Sequence, residues 1–262
     1  MARKPASRRK PPKTLSRRKA PKSVQLSNAY WDVTHRPLQC LVFLLPMILA
    51  YEVGMLLMHG RLPQDQWPTL AAQQMLKWFF SLFGASGVYL PGAALIAVLL
   101  CWHIASRNPW QVAMQPMAGM AGESVLLAIP LIMLNRWLPL LRSIGTLAGA
   151  DRVGNTDNLL LSVGAGLYEE LVFRLIVISL VMILLKDIIR VREVWGVAAA
   201  VVISSLLFAA HHYQPIGADE WRLPEFVFRT AAGAYLAAVF VVRGFGLAVG
   251  CHVIYDVIAF IG

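Results

Sequence analysis

The sequence predicts an all-α, polytopic transmembrane helical bundle of about 7–8 membrane helices, and three observations carry that expectation. Of the 262 residues, 58% are hydrophobic and only 15% charged, against about 25% charged in an ordinary soluble domain. The apolar residues gather in windows of roughly 18–28, and about 20 suffice to cross a bilayer as a helix. These windows lack the alternation and the short length of barrel strands, and hydrocarbon admits no other spanning architecture.

In chain order, the expected spans are Leu38–Met58, Val88–Ala105, Glu123–Leu141, Asn158–Leu185, Val194–His212, Glu225–Val242 and Gly244–Gly262. The stretch Ala71–Phe83, AAQQMLKWFFSLF, is too short and too polar to read as a span. It reads as an amphipathic helix in the interface or as half of a broken one. If it crossed, everything downstream would invert. Pro46, Pro91 and Pro130 are expected to kink their helices. Small residues at Gly164–Gly166 and Ala231–Ala234 suit close helix packing. Cys40, Cys101 and Cys251 stand far apart without metal-type spacing and read as buried thiols.

The net charge of +10 comes from one end of the chain. Residues 1–22 hold ten Lys/Arg and no acid, and the remainder carries fourteen of each sign. Residues 1–30 read as a basic, disordered cytoplasmic tail without the apolar core of a secretory signal. Anionic lipid headgroups are its expected partner. Nucleic acid is not, because no folded reader motif accompanies the charge. With the tail in the cytoplasm and seven spans threaded, Arg107, Lys186, Arg190, Arg192 and Arg243 fall inside. Arg61, Arg142, Arg152 and Arg222 fall outside, with Asp65, Asp151, Asp157, Asp219 and Glu220 beside them. This follows the positive-inside tendency and predicts a multi-pass protein of a bacterial-type inner membrane. Residues 31–157 and 158–262 are read as one integral membrane domain.

The chemistry is expected where charge intrudes on the apolar runs. In GAGLYEELVFRLIVI, Gly164–Ile178, Glu170 and Arg174 lie four residues apart on one helix face and suit a buried ion pair. Glu169 points about a quarter turn away, has no local partner, and at that depth needs a polar cavity or a proton. SSLLFAAHHYQP places His211 and His212 at the end of the next span, and GCHVIYDVIAF places His252 and Asp256 on one face of the last. Singly, each histidine reads more readily as a satisfied polar residue. Together, these groups can converge only around a hydrated pocket inside the bundle. A carboxylate and an imidazole facing one water can withdraw its proton, and a further imidazole can serve a tetrahedral oxyanion. Neither GxSxG nor HExxH occurs. Glu169, His212 and His252 would nevertheless make a chemically reasonable His₂Glu zinc set with an open position.

These residues resemble the CPBP family of intramembrane proteases, the CAAX prenyl endopeptidase and bacteriocin-processing (Abi) group. EELVFR fits E-E-x-x-x-R, FAAHH fits F-x-x-x-H, and HVIYD fits H-x-x-x-N/D, in that order on successive spans. The resemblance covers Asn158 to the C-terminus and implies that 158–262 holds the catalytic helices. It implies an endopeptidase acting on a membrane protein or peptide. Glu169 would be the general base on water. His212, framed by Phe208, would be its partner rather than His211. His252 and Asp256 would line the oxyanion side, and Glu170 and Arg174 would be architectural. An ionised Asp256 would repel an oxyanion, so it is expected either to stay protonated or to orient His252. Metal-dependent and metal-free glutamate mechanisms are both compatible with the residues. The metal-free one is favoured, with no cofactor, and zinc is the alternative. The rival readings are a transporter whose midplane carboxylates and histidines relay protons or ions, and a non-catalytic immunity or scaffold protein. A transporter would show inverted repeats, and a degenerate scaffold would have lost Glu169, His212 or His252.

Overall fold

Helix α1, Pro37–His59, opens on a proline, which costs nothing at the first helical position because the N–H it lacks has no partner there. Its 23 residues extend about 34 Å, enough to cross roughly 30 Å of hydrocarbon. The structure, a computed structural model, describes residues 30–63, 67–142 and 155–261. All but Tyr30 of the basic tail lies outside the described residues, as do Asp65, Asp151 and Arg152.

The described elements after α1 are all helices. They are α2 (Ala71–Ser81), α3 (Leu90–Ser106), α4 (Gln115–Arg142), α5 (Asn155–Glu170), α6 (Glu193–Ala210), α7 (Leu223–Arg243) and α8 (Phe245–Ile261). Among the described residues, each expected apolar window is helical over most of its length, with Val88, Tyr89, His211, His212 and Gly244 outside the helices. Helix α4 starts eight residues earlier than its window, because a helix can run past the apolar stretch into the headgroup region. Helix α2 has 11 residues, about 16 Å, roughly half the length that a crossing helix needs. It buries Ala72, Gln73 and Leu76 and exposes Trp78 and Phe79, the division an interfacial helix requires.

Helix α5 does not stop at Glu170. It runs on through a π-helical stretch, Leu171–Ile178, one α-helical turn, Ser179–Met182, and a second π stretch, Ile183–Ile188. Wider i→i+5 turns of this kind are rare and concentrate at functional sites.

Among the described residues, four helices are long and apolar enough to span a membrane: Pro37–His59, Gln115–Arg136, Glu193–Ala210 and Leu223–Arg243. Leu90–Ser106 and Phe245–Ala259 are shorter apolar helices. Only 22–33% of each long apolar window is buried inside the protein, and Leu49, Val53, Leu57, Leu126 and Val202 stand outward. Water would not tolerate so large an apolar exterior. Exposed Trp31, Trp78, Trp110, Trp195 and Trp221 lie in or beside the helix ends, where amphipathic rings sit at the lipid–water boundary. The chain is a multi-pass integral membrane protein.

Helix α8 is the innermost element, packed against α4, α5 and α7 and touching α1. Phe245, Leu247, Ala248, Val249 and Cys251 are fully buried there. Helix α6 packs on α7 and on the first π stretch, while α1 packs on α3 and α5. The sheath and the centre meet at Gly166 of α5, where an added Cβ would collide with Val253 of α8. That glycine sets the close α5–α8 approach. Cys40 and Cys251 are buried thiols, whereas Cys101 is exposed.

Candidate functional site

The last turns of α5, the C-terminal end of α6 and the middle of α8 bring their polar side chains to one place. Glu169 is almost fully buried, at 7% exposure, and its two carboxylate oxygens face different helices. Oε1 lies 3.4 Å from His211 Nε2 and 4.0 Å from His212 Nε2. Oε2 lies 3.8 Å from His252 Nε2. One carboxylate therefore stands among three imidazoles from two other segments.

The histidine pair is oriented by the end of α6. His211 and His212 are three and four residues after Phe208, so both rings fold back over the last turn. Both Nδ1 atoms lie within hydrogen-bonding distance of the Phe208 carbonyl oxygen, the His212 one at 2.9 Å. A carbonyl only accepts, so each ring donates Nδ1–H and leaves its Nε2 lone pair directed at Glu169. His211 Nε2 is buried without a hydrogen-bond partner. Two nitrogen lone pairs and a carboxylate oxygen converge, and such a set needs a cation, either a proton or a metal ion, between them.

His252 is held from the other side. Its Nδ1 lies 2.8 Å from Glu170 Oε1, and its Nε2 lies 3.5 Å from Asp256 Oδ2. Glu170 also pairs with Arg174, Nε to Oε2 at 3.1 Å, both side chains having no exposure. Arg174 donates to the Gly233 carbonyl at 3.2 Å and lies 4.2 Å over the Phe208 ring. Glu170 thus does more than complete an ion pair within α5: it links Arg174 to His252 and so α5 to α8. Phe208 sits under Arg174 with its edge toward His252, ring centroids 5.9 Å apart.

A cavity of about 530 Å³ opens on this cluster, with Glu169, His212, His252 and Asp256 in its wall. His211 is not in the wall. Its remaining lining is mainly apolar, from Leu131, Leu161, Phe228 and Leu236 among others, with Arg229 of α7 as a cation.

The structure brings Glu169, Glu170, Arg174, Phe208, His212, His252 and Asp256 together. Sequence reasoning missed that His211 lies nearer Glu169 than His212 does. The phenylalanine frame selected His212, yet both positions lie one turn beyond Phe208, and the helix ends there, so both rings can turn back. Among the described residues, the group with ligand atoms within 4.8 Å of one another is Glu169, His211 and His212. The expected set had His252 in place of His211. His252 departs because Glu170 engages its Nδ1 while Asp256 and Glu169 share its Nε2. Arg229 was also unforeseen, because nothing in its apolar run marks it as pointing inward.

Fold and site together define a polytopic helical membrane protein with a constellation of Glu and His side chains buried among its helices beside a cavity. Comparison with known families gives this class a narrower place. Residues 156–258 match the model of the type II CAAX prenyl endopeptidase Rce1-like family, which lies within the CPBP group. The family is one of membrane proteases. The matched segment contains α5, α6, α7 and most of α8, the helices that supply the cluster. No curated protein and no solved structure matches the chain.

Proposed function

We propose that the chain is an intramembrane endopeptidase that hydrolyses a peptide bond of a membrane protein or membrane-associated peptide with water activated by Glu169. The observation that carries this reading is the Glu169 carboxylate facing three imidazoles, with His212 and His252 beside it in the wall of a cavity of about 530 Å³ and His211 behind it. In this reading the chain has about 7–8 membrane helices, counting α1 and α3–α8 as crossings, with residues 158–262 as the catalytic part. It sits in a bacterial-type inner membrane with its N-terminus cytoplasmic and its basic tail against anionic lipid.

His211 Nε2 lies against Glu169 Oε1 from behind while its Nδ1 holds the Phe208 carbonyl. A water in the cavity can then meet Glu169 and His212 at once. Glu169 takes a proton from that water as its oxygen attacks the scissile carbonyl carbon. Charge moves to the carbonyl oxygen, and His252, braced by Glu170, presents an N–H to it. Asp256, 3.5 Å from His252 Nε2, orients the ring. Collapse of the tetrahedral species breaks the C–N bond, and the proton first taken from water passes to the departing amine. Water and amide become carboxylic acid and amine, with no other reagent consumed.

The donor set Glu169, His211 and His212 also fits a zinc ion, since both imidazoles direct Nε2 lone pairs inward and are backed by a carbonyl at Nδ1. Such an ion would supply Lewis-acid polarisation and a more acidic water.

The test is cleavage by purified protein in lipid. Glu169→Gln is expected to abolish proteolysis while accumulating in membranes like the wild type. Full cleavage by that variant would remove the assigned role. A chelator arm separates the two forms of the mechanism: persistent activity supports side-chain activation alone, and loss restored by zinc assigns the donor set to a metal.

A further inference from the structure

Of the two histidines that follow α6, His212 faces the cavity, but it lies beyond the helix end, where helical hydrogen bonding no longer fixes it. The backbone after it folds into a small cap at residues 213–222, and one residue of that cap reaches both ways. The Asp219 N–H donates to the His212 carbonyl at 3.1 Å, and its Oδ2 accepts from Arg229 Nη2 on α7 at 2.5 Å. Arg229 also lies 5.1 Å over the Tyr213 ring, so it grips the cap at the residue after His212 and at Asp219. Two further contacts close the cap: Gln214 N donates to Asp219 O at 3.1 Å, and Gly217 N to Tyr213 O at 2.9 Å. Gly217 lies so close to His212 that any Cβ there would strike the His212 carbonyl carbon and oxygen.

From this geometry we infer that Arg229 and Asp219 form a clamp that positions the His212 ring, making them positioning residues for the proposed reaction rather than participants in it. The inference rests on the hydrolase reading for its kinetic consequence but not for its structural one. Arg229 belongs to α7, which also brings Glu225 to the cavity wall and the Gly233 carbonyl to Arg174. Asp219 is half exposed, at 50%, so the pair adds little to global stability. Its effect is local: with the clamp open, the His212 ring keeps its Nδ1 bond to Phe208 O and its packing on Phe208 and His211, while the cap that holds its carbonyl loses its tie to α7. A displacement of about 1 Å at such a group is enough to cost about 10²-fold in rate.

Four chains in lipid nanodiscs test this: wild type, Arg229→Gln, Asp219→Asn and the swapped pair Arg229→Asp/Asp219→Arg, each with ¹⁵N-labelled histidine. The clamp predicts that the His212 ring resonances move or broaden in both single variants and return toward wild type in the swap, with those of His252 unmoved. On a fluorogenic peptide cleaved by the wild type, the single variants should lose about 10²-fold in kcat with KM within about twofold, and the swap should recover part of it. Unmoved His212 resonances in Arg229→Gln overturn the clamp. So does a loss that falls on KM, or a swap no better than the singles. If the wild type cleaves nothing, the hydrolase reading fails by itself, and the spectra still decide the clamp.

Discussion

Glu170 and Arg174 show how a single residue can be misread when only its nearest partner is considered. Spacing along the helix identifies the pair, but Glu170 also accepts from His252, so it couples two helices through one buried carboxylate. Glu170→Gln and Arg174→Ala are each expected to destabilise the protein by about 3–5 kcal/mol, because the charge left behind has no water to return to. The check is the midpoint of thermal unfolding in detergent, with membrane yield as a second readout. An unchanged midpoint in both variants would show that the pair contributes nothing. The two histidines at the end of α6 separate by role. His212→Ala should remove activity and leave the unfolding midpoint near wild type, since that side chain faces the cavity. His211→Ala should lower both, since that ring is buried against Phe173 and Phe208. Parallel kinetic and thermal measurements on the two variants distinguish the assignments.

At the scale of elements, the relation between α5 and α8 decides whether Glu169 and His252 meet. Gly166 permits the approach, one turn before Glu169 and directly against Val253, the neighbour of His252. Gly166→Val is expected to wedge these helices apart, costing about 1–3 kcal/mol by overpacking and reducing cleavage far more than a surface substitution would. A variant with wild-type activity and unfolding midpoint would mean that the two helices do not need this contact. The π-helical turns after Glu170 act at the same scale. They widen α5 where Phe173 and Arg174 must turn toward α6 and α7, and Ser204 of α6 donates to the freed Phe173 carbonyl at 2.7 Å. Nothing in LVFRLIVI announces this. An apolar run reads alike whether its turns close at four residues or five, so the sequence supports a helix but not its width.

For the whole molecule, the alternation of helices places the His211–Arg222 cap on the same side of the bundle as the segment between α1 and α3. Residues 30–36 and the α5–α6 and α7–α8 turns fall on the other. Ala218→Cys should therefore be labelled by an impermeant maleimide from the outer face of intact cells, and Arg192→Cys only after permeabilisation. The reverse pattern would invert the orientation. The end of the bundle away from the cap has its own lock. Glu123 of α4 pairs with Arg243 at the end of α7, Nη2 to Oε2 at 2.7 Å, and accepts from Tyr30 at 2.6 Å. Arg243 also lies 3.3 Å over Trp31. This ties the residues just before α1 to α4 and α7. It stands about 20 Å along α7 from Arg229, so Arg243→Gln should lower the unfolding midpoint and leave KM unchanged.

The sequence alone determined the helical spans and the residues that carry charge into them, because apolar length and the cost of buried charge are local properties of a chain in lipid. It placed Glu169, the two α6 histidines, His252 and Asp256 on their helices, since spacing along a helix fixes which face a side chain shares. Only the tertiary structure decided which imidazole approaches Glu169, that Glu170 serves two partners, and that Arg229 turns inward to hold the cap. Those are distances between segments far apart in sequence, set by how closely small residues let helices approach and by where a helix ends. Neither can be read from a window of hydropathy.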